Sequence, residues 1–153
     1  VIHRDINPKN IILTLDKTPK LVDFDVARSE LLETITIRED GSRFWVGTPR
    51  YCSPEQLAQP GEILTSEIGP ASVIFALGVV LYELLTFEKP YEYGNRLAQY
   101  DNNVFPKPKP HEIPDQLYKI LLEMLDGEPS NRLTAASLKS RLQNYLQTQG
   151  FSG

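Results

Sequence analysis

Between Val73 and Leu85 the chain carries one charged side chain, Glu83, and apolar residues fall on nearly every side of a helical projection. A helix of that kind must be covered by protein all round, so it belongs inside a core rather than on its surface. It is also too short, and with Glu83 too polar, to cross a bilayer. Ser72 is placed to cap it, and the pattern carries it to about Thr86. A length of 153 residues with 41% hydrophobic content supports one such core and not two.

The elements that cover this helix are legible on either side. Ser53-Pro54-Glu55-Gln56 reads as a helix start, with Ser as N-cap, Pro at the first position and Gln closing a capping box. Leu117, Ile120, Leu121, Met124 and Leu125 share one helical face, with Gly127 placed to end it. Leu138, Leu142, Tyr145 and Leu146 mark a further face, with Thr134 as its N-cap. A short helix is expected at Gly94–Tyr100, and Pro106–Pro110 reads as a stiff extended connector. Near the start, Ile11–Leu15 and Lys20–Asp23 are short strands joined by the turn Asp16-Lys-Thr-Pro19. The expected class is therefore α+β, mostly helical, with a short β-hairpin.

The residues with chemical potential cluster around that hairpin. In Val1-Ile-His-Arg-Asp-Ile-Asn-Pro-Lys-Asn10, a carboxylate (Asp5) and an amide oxygen (Asn10) stand on one tight, proline-containing loop. The hairpin returns Asp23 toward Asn10, so that two oxygen ligands face one hard cation. His111 is isolated, with no metal-ligand spacing around it, and reads as a loop residue. The net charge of −4, with acids and bases interspersed, gives no sign of a nucleic-acid partner. One cysteine, Cys52, excludes an internal disulfide and fits a reducing, cytoplasmic setting. No signal peptide or membrane span is expected in this segment.

In order along the chain, His3-Arg4-Asp5 with Asn10, Asp23-Phe24-Asp25, Gly47-Thr48-Pro49-Arg50-Tyr51, Ser53-Pro54-Glu55, Phe75-Ala-Leu-Gly78 and a late Arg132 resemble the protein kinase family. The wording is similar to bacterial serine/threonine kinases. What the resemblance implies is a C-terminal (large) lobe over residues 1–147, followed by a tail at 148–153. The N-terminal lobe, with its glycine-rich loop and strand lysine, is expected upstream. The only methionine is Met124, so the segment reads as part of a longer protein and is expected to be inactive by itself.

The implied activity is transfer of the γ-phosphate of ATP to protein Ser/Thr, with Mg and ATP as cofactors and protein substrates as partners. Asp5 then orients the acceptor hydroxyl, Asn10 and Asp23 hold Mg, and Thr48 shapes the acceptor site. Ile12 serves as an apolar floor for adenine, with an ordinary core strand residue as the alternative. Lys9 belongs to the nucleotide-binding loop, where many members carry an acid, so a preference for basic substrates is not implied. His3 is expected to pack rather than react. Arg4 offers a fork for a phosphorylated Thr34, Thr36 or Ser42.

Three residues depart from the family pattern. Asn7 stands where a lysine usually reaches the transferred phosphate, so Asn7→Lys is expected to raise transfer. Asp25 replaces a glycine. Val73 occupies an acidic position that accepts from the catalytic-loop backbone, with Ser72 the only nearby substitute. Together they keep open a rival reading, a pseudokinase-type binding or scaffolding module without catalysis.

Overall fold

The computed structural model describes residues 2–24, 35–37, 43–45, 48, 50–57, 69–91 and 113–150. The expectations for Asp25, Thr34, Ser42, the helix at 94–100, the connector at 106–110 and His111 lie outside the described residues. In chain order the elements are β1 (Ile11–Leu13), β2 (Pro19–Leu21), β3 (Ile35–Ile37), β4 (Arg43–Trp45), α1 (Pro54–Leu57), α2 (Pro70–Thr86), α3 (Asp115–Met124) and α4 (Ala135–Thr148). Short 3-10 turns occur at Pro8–Asn10 and Pro129–Asn131. About half of the described residues are helical, as the patterning required.

The expected hairpin is present. β1 and β2 pair antiparallel, with Ile12 opposite Lys20, and the strands are shorter than the apolar run suggested. Asp16 is the reason. Its carboxylate accepts from the hydroxyls of Thr14 and Thr18, and the Thr14 hydroxyl also lies on the Thr18 carbonyl, so the chain is already turning at Thr14. These hydroxyls hold the Asp16 pKa below its ordinary value. A second hairpin was not anticipated: β3 pairs antiparallel with β4, Thr36 opposite Phe44. Strands of three residues leave too little alternation to be read from sequence.

Helix α2 lies at the centre of the packing. Phe75, Val79 and Leu125, all fully buried, join Ile6, Tyr51 and Tyr91 in one apolar cluster. The opposite side of α2 brings Ile74 against Ile120, Met124 and Leu138, and Tyr82 against Ile113, Leu117 and Leu121. Close approach depends on Gly78, where a Cβ would lie 2.8 Å from Leu125 Cδ2 and 3.0 Å from Met124 Cβ. Among the described residues no helix is long and apolar enough to cross a membrane.

Two helix boundaries differ from expectation. α2 begins at Pro70 with Gly69 as N-cap, because Pro fits the first helical position at no hydrogen-bond cost; Ser72 sits inside the first turn. Helix α3 ends at Met124, before Gly127, as Asp126 Oδ1 accepts from the Glu128 amide and turns the chain. The Thr134 cap is as expected, its hydroxyl oxygen accepting from the Ser137 amide at 3.2 Å.

The distant ends of this frame are joined by a buried ion pair. Arg132 donates to both Glu55 oxygens, at 2.7 and 2.8 Å, with neither side chain appreciably exposed. The guanidinium also donates to the carbonyls of Ala71, Asp126 and Gly127 and lies 5.0 Å from the Phe75 ring centroid. Ser72 completes the arrangement by donating to Glu55 Oε1 at 2.7 Å. Burial alone would push the Glu55 carboxyl up. The Arg132 hydrogen bonds and charge and the Ser72 hydroxyl outweigh it, so its pKa lies below the ordinary glutamate value.

Candidate active site

Asp5 is held from two directions. Its Oδ1 accepts from the Thr48 amide at 2.9 Å and its Oδ2 from Asn10 Nδ2 at 3.1 Å. The same Asn10 nitrogen donates to the Asp5 carbonyl at 2.9 Å. The loop bends tightly enough for this because Asn7 caps the Pro8–Asn10 turn, its Oδ1 accepting from the Lys9 amide at 2.9 Å. Pro8 supplies a preset φ at the first position of the turn. Each Asp5 oxygen keeps acceptor capacity after these bonds, since an ionised carboxylate offers about four lone-pair sites.

Asn7, expected among the catalytic residues in place of a lysine, is 3% exposed and ties the loop together. Besides capping the turn, its Nδ2 reaches the Asp5 carbonyl at 3.3 Å and Thr48 Oγ1 at 3.4 Å. Thr48 is thereby joined to the loop by main chain and side chain. Its carbonyl accepts from the Tyr51 amide at 3.0 Å and from Cys52 Sγ at 3.7 Å.

The hairpin brings the second carboxylate back. The Val22 amide donates to the Asn10 carbonyl at 2.9 Å, which sets Asp23 one residue beyond the Asn10 turn. His3 fixes the same crossing: its Nε2 lies 3.0 Å from the Val22 carbonyl and its ring meets Phe24 edge-on at 4.7 Å. A carbonyl can only accept, so Nε2 carries the proton, and the buried Nδ1 has no hydrogen-bond partner among the described residues. Arg4 and Asp23 both adopt positive φ, 64° and 63°. Such backbone costs of order 1–3 kcal/mol in a non-glycine residue and gathers at functional sites.

The oxygen donors suit a hard cation. Asn10 spends its amide nitrogen on Asp5 and keeps its Oδ1 as an acceptor, and Asp23 adds a carboxylate at an exposed position. An amide oxygen with a carboxylate matches magnesium, which keeps several waters and takes few protein ligands. No group of three or more His, Cys, Asp or Glu residues that could hold a metal occurs among the described residues. Ile12 is 51% exposed in this chain. Lys9 is exposed, with its amide in the Asn7 cap. Thr36 falls in β3.

Beneath the loop, Val73 and Ser72 line a small cavity of about 10 Å3 together with Gln56 and the Arg4–Asp5 segment. Val73 packs on the edge of the Ile6 cluster, and Ser72 is committed to Glu55. Neither takes the place of an acid under the loop. Gln56, named from sequence only as a helix cap, reaches the Arg4 carbonyl at 3.3 Å. A second grouping escaped the sequence altogether. Tyr51 donates to Glu83 Oε2 at 2.7 Å, and Lys89 donates to Glu83 Oε1 at 2.8 Å and to the Tyr51 oxygen at 2.9 Å. Burial and the Glu83 carboxylate push the Tyr51 hydroxyl pKa up. Lys89 lies beyond the end of α2, where no helical periodicity could link it to Glu83.

The structure thus brings together a short polar loop, a carboxylate clamped by a distant backbone amide, and a hairpin that leads back to a second acid. The model for the protein kinase domain matches residues 1–142, and the chain belongs to the protein kinase family. It is 32% identical over 96% of its length to the serine/threonine-protein kinase PknD of Chlamydia caviae, and 31% identical over 93% to PknB of Mycolicibacterium smegmatis. It is also 30% identical over 96% of its length to the human tyrosine-protein kinase FRK. The chain spans 17%, 22% and 28% of the lengths of these three relatives.

Proposed function

We propose that this chain is the large-lobe part of a serine/threonine protein kinase that transfers the γ-phosphate of ATP to a protein hydroxyl. The observation that carries the reading is the double anchoring of Asp5 by the Thr48 amide and Asn10 Nδ2. A carboxylate fixed at both oxygens is aimed rather than merely present, and orientation supplies much of the catalysis in this chemistry.

In this reading Asp5 accepts the proton of the incoming hydroxyl and directs its lone pair along the line of attack. Thr48, tied to Asp5 through its amide, forms the wall on the acceptor side. Asn10 Oδ1 and the Asp23 carboxylate would hold magnesium, which would supply charge neutralisation for the nucleotide phosphates. The exposed apolar side chains of the hairpin, Ile12, Leu13, Leu21 and Phe24, suit cover by adenine and by the remainder of a nucleotide clamp. Ser/Thr rather than Tyr specificity is favoured by Thr48 and by the Ser53-Pro54-Glu55 wording.

The test is transfer of labelled phosphate from ATP to a protein or peptide acceptor by the full-length protein. Magnesium dependence and loss of transfer in Asp5→Asn support the reading. Transfer to tyrosine alone would correct the specificity, and nucleotide binding without transfer would favour the scaffolding alternative.

A further inference from the structure

We propose that Gln56 is a positioning residue for the catalytic loop, holding the Arg4–Asp5 peptide in the orientation that aims Asp5. The inference rests on the kinase reading above. Gln56 is 3% exposed and makes three hydrogen bonds of two kinds. Its Oε1 accepts from the Ser53 amide and hydroxyl, each at 3.0 Å, which fixes the side chain against its own helix start. With Oε1 so engaged, Nε2 must point the other way, and there it donates to the Arg4 carbonyl at 3.3 Å, 52 residues away in sequence.

That carbonyl is a sensitive point. Arg4 has φ 64°, a backbone state that an arginine does not hold without support, and its carbonyl belongs to the peptide whose nitrogen is that of Asp5. Rotation of this peptide would swing Asp5 away from the Thr48 amide. Val73 offers nothing to resist such rotation, being apolar and bordering the small cavity under the loop. The Ser72 hydroxyl is turned to Glu55. Gln56 thus ties the strained peptide to the Ser53–Leu57 segment, whose Glu55 is paired with Arg132.

Two variants of the full-length protein test this. Gln56→Glu keeps the acceptor bonds to Ser53 and removes the donor facing Arg4; Gln56→Met keeps the length and removes both. The readouts are kcat, KM for ATP, and backbone amide hydrogen exchange at Asp5–Asn7 compared with α4. Loss of one such hydrogen bond predicts a fall in kcat of about five- to tenfold with KM changed less than about twofold. Exchange at Asp5 and Ile6 should accelerate about tenfold relative to α4. Unchanged kcat and unchanged loop exchange in both variants would overturn the proposal. So would a uniform acceleration in which loop and α4 move together, since that is a stability effect only. If the unsubstituted protein transfers no phosphate, the kinase reading fails, and selective loop exchange still decides the role of Gln56.

Discussion

Arg132 and Glu55 meet in a two-pronged buried contact across 77 residues of sequence, and the Ser72 hydroxyl closes the remaining side of the carboxylate. The pair joins the helix start that follows Thr48 to the connection between α3 and α4. Removing one charge leaves the other buried without its partner, so Arg132→Met should destabilise the fold by about 3–5 kcal/mol. Ser72→Ala should cost less, about 1.5–3 kcal/mol, because a hydroxyl bond to a carboxylate is lost while the ion pair remains. Chemical denaturation of both variants measures the difference; equal midpoints for Arg132→Met and the unsubstituted protein would contradict it.

The same carboxylate predicts an acid limit. Its folded pKa lies below its ordinary value, which is about 4.3 in an unfolded chain. The stability it contributes is thus fully present above that value and is lost as pH falls through the lower folded value. The melting temperature should drop below about pH 4.5, and the slope should be shallower in Glu55→Gln. Parallel pH profiles for the two proteins would exclude Glu55 as the source.

Gly78 predicts a steric effect of the opposite kind. Gly78→Ala would force a methyl to within 2.8 Å of Leu125 Cδ2 and 3.0 Å of Met124 Cβ. Better helix propensity cannot offset a clash inside a packed core, and overpacking of this sort costs about 1–3 kcal/mol. Thermal unfolding reads it directly. A stabilised Gly78→Ala protein would mean that α2 and α3 separate more easily than their packing implies.

At position 7 the family pattern and the observed contacts point to opposite outcomes for lysine. By family pattern a lysine there should assist transfer, yet Asn7 is 3% exposed, caps the Pro8–Asn10 turn and touches Thr48 Oγ1. Lysine can neither accept from the Lys9 amide nor fill the same space. Asn7→Lys should therefore lower kcat about tenfold, through loss of the cap and of the Thr48 tie. An increase in kcat would restore the view of Asn7 as a lesion.

Much of this was legible because local rules and tertiary demands agreed. Thr134 had both a capping oxygen and an apolar face behind it, and the all-round apolar Val73–Leu85 could only be central. The loop carrying Asp5 and Asn10 and its return to Asp23 followed from strand and turn chemistry. The failures have physical causes too. Pro70 opens α2 three residues before the apolar run that marked the helix in the sequence begins. Strands β3 and β4 are too short to show a period. The Gln56–Arg4, Asn7–Thr48 and Lys89–Glu83 contacts link residues that no local pattern associates.

We propose above that Asp5, aimed by Thr48 and Asn10, performs phosphoryl transfer. It is tested most directly by single-turnover transfer of the ATP γ-phosphate to a Ser/Thr peptide, comparing the full-length protein with Asp5→Asn. The account predicts magnesium-dependent phosphopeptide from the unsubstituted protein and a loss of at least about a thousandfold in the variant, whose amide cannot take the hydroxyl proton. Equal transfer by the two proteins would contradict it.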